Sequence, residues 1–215
     1  MGKKIVLVVG ATGLVGAEFV KNLQRDQQID EVRCIVRTPC NALLNSKVNY
    51  HVVSFFDLDQ SKELFEGVTH VVCCVGTTIK KAKTREQFQM VDHFIPKTVA
   101  RLAKDHGVES YQIISSLGAS SSSKSFYLYV KGVVEETLDR FGFKRLVIYR
   151  PSLLEGNRQE FRFGEIIMSW LFRTFSFVIP DKYSPTNVES LARLMVSDLH
   201  QTEPGIHIVE STMIN

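Results

Sequence analysis

The sequence predicts an α/β protein with a doubly wound parallel sheet, and two observations carry this prediction. Short apolar runs rich in β-branched residues alternate with longer stretches of helical periodicity over the first 150 residues, a pattern typical of repeated βαβ units. Most of these runs are continuously apolar, as expected for strands that are covered on both faces. The predicted strands are residues 5–10, 31–37, 48–55, 69–76, 110–116 and 145–150.

Helices are predicted between these strands, at residues 14–23, 60–65, 84–106 and 127–141. An amphipathic face in the third helix is formed by Phe88, Val91, Ile95, Val99 and Leu102. After Pro151 the pattern changes: residues 152–187 are loop-rich with one apolar helical stretch at 163–177, and a helix at 188–199 and a strand at 205–209 follow. We therefore expect one domain over residues 1–215, in which residues 152–187 form a small cap on the substrate side.

Composition and charge limit the function classes. The net charge of +3 and the absence of a basic run argue against a nucleic-acid partner. The sequence contains no apolar stretch long enough to span a membrane, and the first strand is too short for a secretory signal. The four cysteines and six histidines lack metal-ligand spacing, so we expect no metal, reduced thiols and a cytoplasmic protein. A small-molecule substrate and a monomer or homodimer are expected.

Three glycines spaced three apart follow the first strand and open the first helix. In this G-x-x-G-x-x-G pattern, Gly10 permits a tight turn, Gly13 lets the backbone approach a pyrophosphate, and Gly16 lets the helix pack on the strand. The helix N-terminus offers unpaired N–H groups to phosphates, and Thr12 is a candidate cap that also faces phosphate. The predicted dinucleotide contacts in this turn are Gly10, Thr12, Gly13, Leu14, Val15 and Gly16.

The end of the second strand predicts which dinucleotide is preferred. NAD sites place a carboxylate there for the ribose 2′-hydroxyl, whereas this strand ends in Arg37. A guanidinium can pair with a 2′-phosphate, so NADP(H) is favoured and NAD(H) stays possible. After the third strand, Asp57 and Leu58 could reach the adenine amine, or Asp57 could merely cap the next helix.

A phenol and an ammonium lie four residues apart in the fourth predicted helix. This spacing places Tyr127 and Lys131 on one helical face. A free phenol ionises near pH 10, and a neighbouring ammonium favours the phenolate. Tyr127 could therefore exchange a proton with a substrate carbonyl oxygen, and Lys131 could also hold the nicotinamide ribose.

The fifth strand ends in two serines, and one of them is a candidate hydrogen-bond donor to the reacting carbonyl. The carboxyl ends of parallel strands face the ligand crevice of such folds. Neighbouring side chains point to opposite faces, so only one of the two can serve. We predict Ser116, with Ser115 as the alternative.

Together these motifs resemble the short-chain dehydrogenase/reductase superfamily, in its atypical branch nearest the small Tat-interacting oxidoreductase-like proteins. The residues that carry the resemblance are Gly10 to Gly16, Cys73 to Thr78, Ser115 to Ala119, Tyr127 with Lys131 and Gly132, Arg150 with Pro151, and Asn157 to Glu160. The resemblance implies a Rossmann domain that binds NADP(H), with Ser116, Tyr127 and Lys131 at the catalytic positions. It also implies that Val75, Gly76 and Thr77 follow the nicotinamide ribose, and that Pro151 to Leu153 passes near the nicotinamide.

One catalytic residue of this family has no counterpart in the sequence. An Asn is expected on the helix after the fourth strand, where this chain has Gln89, Asp92 and His93. The expected function is an NADP(H)-dependent oxidoreductase that moves hydride to or from a carbonyl or alcohol on a small, apolar substrate. The alternative is an NADP(H)-binding regulatory or sensor protein with little or no turnover.

Two further segments leave their roles open. The apolar residues of the cap could form a lid, pack against the core or make a contact surface; they are Phe161, Phe163, Ile166, Ile167, Trp170, Leu171, Phe172, Phe175 and Phe177. The serine-rich residues 120–125 lie between the candidate serine and tyrosine, as a mobile flank of the pocket or as a solvated loop.

Overall fold

The fold is built on a seven-stranded parallel sheet, seen in a computed structural model that describes residues 2–40, 46–155 and 184–214. The strand order is β3-β2-β1-β4-β5-β6-β9, so the direction of winding reverses between β1 and β4. The strands are β1 (Ile5–Val9), β2 (Glu31–Val36), β3 (Val48–Val52), β4 (His70–Cys73), β5 (Ser110–Ile114), β6 (Arg145–Arg150) and β9 (Gly205–Glu210). The predicted doubly wound parallel sheet is confirmed.

Helices cover both faces of this sheet. They are α1 (Leu14–Leu23), α2 (Ile79–Ala82), α3 (Arg85–Gln89), α4 (Ile95–Asp105), α5 (Phe126–Asp139) and α6 (Val188–Asp198). A 3₁₀ helix, Leu58–Phe65, joins β3 to β4, and another, Ser211–Met213, follows β9. A two-stranded parallel ladder, β7 (Leu154–Glu155) with β8 (Thr186–Asn187), lies outside the main sheet and was not predicted.

The core has two apolar layers, one on each face of the sheet. One layer joins the sheet to α4 and α5 through side chains such as Val99 and Leu138, and the other joins it to α1 and α6 through Phe19 and Leu191. Cys73 belongs to the first layer and Cys74 packs against the second, so these adjacent side chains face opposite sides of the sheet. All four cysteines are free thiols.

The helix predicted at residues 84–106 is wrong in one respect, because it is interrupted. A π-helical turn, Met90–Phe94, separates α3 from α4, and the Ile95 N–H donates to the carbonyl of Met90, five residues back. Pro96 lacks the N–H that would bond the carbonyl of residue 92 in a regular α-helix. The proline thus accounts for an irregularity one turn before it, at Asp92.

Strand register brings the predicted site residues to one edge of the sheet. Val9 lies opposite Ile35 and Cys73, Cys73 lies opposite Ile113, and Ile114 lies opposite Tyr149. The segments that follow β1, β2, β4, β5 and β6 therefore emerge side by side at the carboxyl edge, where doubly wound folds bind ligands.

Candidate functional site

The glycine-rich turn is shaped by close backbone contacts. Gly10 has φ +89°, and a Cβ there would lie 2.8 Å from Val75 N and from the carbonyl carbon of Cys74. A Cβ at Gly16 would overlap the Gly10 carbonyl oxygen and lie 3.0 Å from its carbon. Only glycine fits either position, so α1 begins directly against the end of β1 and beside the segment after β4. The turn thus has the shape that the sequence predicted for Gly10 and Gly16.

The amino end of α1 meets the requirement for binding phosphate. Gly13 is the N-cap, its N–H donates to the Gly10 carbonyl (3.0 Å), and among the described residues no side chain caps this helix. The prediction that Thr12 caps α1 is wrong, because the cap falls one residue later and Thr12 is exposed. N–H groups at the end of a ten-residue helix favour an anion. The turn therefore fits a dinucleotide pyrophosphate.

The predicted adenosine contacts lie beyond β2 and β3. Arg37 directly follows β2, is exposed, and has its guanidinium carbon 6.0 Å from the centroid of the Phe55 ring. Asp57 is exposed and takes the N-cap position of the 3₁₀ helix, without a side-chain capping bond. Leu58 is 1% exposed and belongs to the core, so only its backbone can face a ligand.

A buried ion pair lies where the segment after β4 meets α5. Asp92, in the π-helical turn, places Oδ1 2.8 Å from Nζ of Lys131, and its Oδ2 accepts the backbone N–H of Thr77 at 2.8 Å. Gly76 packs beside both groups, since a Cβ there would lie 3.5 Å from Asp92 Oδ1 and 3.8 Å from Lys131 Nζ. This arrangement connects the predicted ribose-lining segment to the predicted catalytic lysine. The sequence places Asp92 near the position of the family's Asn but predicts neither this ion pair nor its bond to Thr77.

Lys131 is charged despite its burial. Desolvation lowers its pKa, but the Asp92 carboxylate and then Tyr127 act in the opposite direction, and the net effect raises the pKa. Its Nζ also lies 3.4 Å from the Ile114 carbonyl oxygen, at the end of β5. The ammonium is therefore held between β4, β5 and the π-helical turn.

Tyr127 lies in the first turn of α5, partly buried. Its ring packs on Phe88 with centroids 5.6 Å apart, in a small apolar cluster that also includes Ala82 and Val130. Tyr127 and Lys131 lie one helical turn apart on α5, at i and i+4 positions that share a helical face, as their spacing predicted.

The two serines after β5 have different surroundings. Ser115 is 4% exposed and its Oγ donates to Glu135 Oε1. Ser116 is partly buried, and its Oγ has a long contact of 3.5 Å to the Leu117 carbonyl oxygen. The Ser115 hydroxyl is thus bonded to a buried carboxylate, whereas the contact of the Ser116 hydroxyl is too long for a strong hydrogen bond.

Glu135 is itself held by an arginine. Arg150 donates to both carboxylate oxygens, from Nε at 3.1 Å and from Nη2 at 2.6 Å, and its Nη1 donates to Glu210 at 3.0 Å. These bonds tie α5 to β6 and β9. In the Arg150-Pro151 motif, Arg150 therefore has a structural role, because it holds helix α5 against β6 and β9.

The serine-rich loop packs directly onto α5. A Cβ at Gly132 would lie 2.5 Å from Ser120 Cα and overlap the Ser120–Ser121 peptide, so only glycine allows this contact. The Ser120 N–H donates to the Leu128 carbonyl (3.1 Å), and Ser121 Oγ donates to Glu136. The first half of the loop is therefore bonded to the helix that carries Tyr127 and Lys131.

The remaining predicted contacts follow β6. Pro151 is buried and its carbonyl accepts the Leu117 N–H at 2.9 Å, while the Leu153 carbonyl accepts the Thr186 N–H at 2.8 Å. The apolar stretch at 163–177 and most of the predicted cap, with its aromatic residues, lie outside the described residues.

The turn, the reversal of strand order and the open helix end together define an NAD(P)H-binding protein of the Rossmann type. The chain belongs to the family described as NAD(P)H-binding, whose model matches residues 10–146. Protein HTATIP2 of Rattus norvegicus is 34% identical over 95% of this chain and 84% of its own length. Protein FMP52, mitochondrial, of Meyerozyma guilliermondii is 30% identical over 97% of this chain and 93% of its own length. The family expected from the motifs is confirmed.

Solved structures agree on the fold. MoeE5 in complex with UDP-glucose and NAD matches with a TM-score of 0.74 and 15% identity, over 94% of this chain and 74% of that one. UDP-N-acetylglucosamine 4-epimerase from Methanobrevibacter ruminantium M1 matches with a TM-score of 0.75 and 15% identity, over 98% and 77%. At such identities the comparison establishes the shared architecture.

Within residues 2–40, 46–155 and 184–214, no helix is long and apolar enough to cross a membrane. The same part of the chain contains no group of three His, Cys, Asp or Glu side chains able to hold a metal ion. The FMP52 relative carries the word mitochondrial in its name, so the cytoplasmic location stays a prediction.

Proposed function

We propose that this protein is an NADP(H)-dependent oxidoreductase that interconverts a carbonyl and an alcohol on a small, apolar substrate. The observation that carries the proposal is the buried Lys131 ammonium, one helical turn from Tyr127 on α5 and at the same sheet edge as the glycine-rich turn. A phenol next to a fixed cation can exchange a proton with a substrate oxygen. The dinucleotide, when bound, supplies or accepts the hydride.

Each residue has a separate task in the reduction. The Tyr127 hydroxyl gives its proton to the carbonyl oxygen as carbon gains hydride, so that the product is an alcohol and the phenolate remains. Lys131 stabilises that phenolate, and the Ser116 hydroxyl donates a hydrogen bond to the same oxygen. Oxidation of an alcohol runs the same proton transfer in reverse.

Support for NADP(H) comes from charge at the end of β2. Arg37 is exposed at the first position after the strand, where a carboxylate would serve NAD. Its contact with the Phe55 ring holds the guanidinium beside β3. A 2′-phosphate offers two oxygens to such a group.

The test uses a tyrosine pair on one helix. Purified chain is titrated calorimetrically with NADPH and then assayed against a panel of aldehydes and ketones. Tyr127→Phe should keep NADPH affinity within about twofold and lower carbonyl reduction by at least roughly 100-fold, since it removes the proton donor. Tyr129 lies two residues further along α5 and its ring is exposed. Tyr129→Phe should therefore change neither the NADPH affinity nor the rate of carbonyl reduction.

A second candidate is an NADP(H)-binding regulatory protein with little turnover. It is favoured by Asp92, which stands in the region where the resembled family has an Asn and neutralises much of the Lys131 charge. A wild-type protein that binds NADPH but reduces no member of the panel would favour this candidate.

A further inference from the structure

The Asp92–Lys131 pair is unusually well enclosed. Asp92 is 1% exposed and Lys131 5% exposed. Oδ1 lies at ion-pair distance from the ammonium but has no hydrogen-bond partner among the described residues, and Oδ2 accepts the Thr77 N–H, so two different elements contact the carboxylate. Removing one member of a buried charge pair leaves the other charge uncompensated. Asp92 is therefore a fixed negative charge next to the ammonium.

The backbone places Asp92 there by a local irregularity. The π-helical turn adds a residue to the helical repeat, and Pro96 removes the α-helical bond to the residue 92 carbonyl. Single π turns of this kind occur frequently at functional sites. The irregular turn, which joins α3 to α4, places the Asp92 carboxylate against Lys131 of α5 and the Thr77 N–H after β4.

The charge seen by Tyr127 is then that of a pair. An isolated ammonium stabilises a phenolate, but a carboxylate 2.8 Å from the ammonium cancels most of that field. In the same place, a neutral amide would leave the ammonium uncompensated.

Other charged groups around the pair do not replace this effect. Cys73 of β4 is buried, which raises the pKa of its thiol and keeps it neutral. From α5 the facing group is Tyr127 itself, and β5 contributes the Ile114 carbonyl oxygen.

The charged groups of the surrounding helices have other surroundings. From α3, Arg85 stacks on the Phe126 ring at 4.9 Å, and its neighbour Glu86 is exposed. From the π-helical turn, His93 contacts Thr137, and burial lowers the pKa of its imidazole. On α2, Lys80 and Lys81 are exposed, where water and salt screen them.

We propose that Asp92 is a positioning residue that holds the Lys131 ammonium and offsets its charge, so that Lys131 stabilises a Tyr127 phenolate less than an uncompensated ammonium would. This inference rests on the proposed function for its catalytic consequence, because the phenol is the proton donor in reduction and the phenolate is the acceptor in oxidation. The charge relation itself is independent of any substrate.

The experiment follows the phenolate directly. Near-ultraviolet absorbance of the NADPH-free protein is titrated with base in the wild type and in Tyr127→Phe, and the difference isolates one phenol. The same subtraction is made in an Asp92→Asn background, which keeps the side-chain shape and an oxygen for the Thr77 N–H. Asp139→Asn, an exposed change on α5, is the matched control.

Asp92→Asn should lower the titration midpoint of this phenol by about one pH unit or more, a tenfold rise in phenolate at fixed pH. The control should leave the midpoint unchanged. A midpoint that stays within about 0.3 pH unit of the wild type, or that rises, overturns the inference, because the phenolate fraction would then change by no more than about twofold.

A double variant covers the case in which the single variant does not fold. Asp92→Asn/Lys131→Met removes both buried charges, a change that proteins often tolerate. If Asp92 cancels Lys131, the midpoint of the double variant stays near wild type. If Lys131 acts alone, the midpoint rises by about one unit or more and the inference fails.

The titration also separates this inference from the proposed function. An inactive wild type in the substrate panel removes the oxidoreductase proposal, while the absorbance midpoint still reports on Asp92. Where the protein reduces a carbonyl, kcat/KM should fall at alkaline pH as the phenol loses its proton. In Asp92→Asn this fall should move to lower pH by the same amount as the absorbance midpoint.

Discussion

Ser115 and Glu135 form a hydrogen bond inside the protein, between the end of β5 and the middle of α5. Ser115 is 4% exposed and Glu135 6% exposed, and the carboxylate is also bound by Arg150. The neighbouring Ser116 has its Oγ 3.5 Å from the Leu117 carbonyl oxygen, a long contact. This difference supports the proposal that Ser116, rather than Ser115, donates to the substrate oxygen.

The two serines should therefore respond differently to alanine. Ser116→Ala should lower carbonyl reduction by roughly 100-fold, the cost of removing one donor to a developing oxyanion, and leave urea stability unchanged. Ser115→Ala should cost about 1–2 kcal/mol of unfolding free energy, because a buried bond is lost, and retain most activity. Steady-state kinetics and urea denaturation measure both; the reverse pattern would exchange the roles.

Gly132 should be nearly irreplaceable. In Gly132→Ala the new methyl meets the backbone of Ser120 and Ser121 rather than a flexible side-chain end. We expect a loss of about 3 kcal/mol, at the upper end for overpacking, because backbone must move. Chemical denaturation measures the loss.

The control for Gly132 lies on the same helix. The Asp139 side chain is exposed, so Asp139→Ala should change the free energy of unfolding by no more than about 0.5 kcal/mol. A Gly132→Ala protein as stable as this control would mean that the serine-rich loop does not pack on α5 in solution.

Some of the site was predictable because local rules act alone there. Continuous apolar runs predicted the parallel strands, and the spacing of Gly10 and Gly16 predicted a close contact that the backbone bears out. The Tyr127 and Lys131 pair follows from helical geometry alone. In each case the decisive interaction lies within one supersecondary unit.

The rest depends on contacts between distant elements. Alternation predicts that Ser115 and Ser116 diverge, but Glu135, twenty residues away, decides which hydroxyl is occupied. A regular helix over residues 84–106 gives Asp92 no special position, although Pro96 signals a break one turn earlier. The sequence predicts Thr12 as a cap, but the N-cap is Gly13 and the helix begins at Leu14.

Arg37 should determine cofactor preference. Wild type should bind NADPH more tightly than NADH, and Arg37→Ala should weaken NADPH binding by roughly 10–100-fold through loss of a charged hydrogen bond while leaving NADH binding unchanged. Arg25→Ala removes an equally exposed charge distant from β2's carboxyl end and serves as the control. Equal wild-type affinities in calorimetry would remove the NADP(H) preference.

His70, at the amino end of β4 and so at the sheet edge opposite the candidate site, should make the stability of the protein sensitive to acid. Burial, followed by the charges of Lys4, His200 and Arg145, lowers its pKa from the ordinary 6.5 to about 4. Between these values the unfolded chain binds a proton that the folded chain excludes, so stability is complete above pH 6.5 and falls as pH drops towards 4. This group should therefore cost about 2 kcal/mol of unfolding free energy between pH 7 and pH 5.

The comparison variant for this prediction is His70→Gln, which cannot take up the proton. Its unfolding free energy by urea titration should fall less between pH 7 and pH 5 than that of the wild type. Asp26, whose pKa remains lowered although burial opposes the bonds from Gln28 and His200, titrates below this window and contributes little to it. His207→Gln, at a partly exposed position on β9, should keep the wild-type slope. Equal slopes for wild type and His70→Gln would show that His70 takes up its proton in the folded protein as easily as in the unfolded chain.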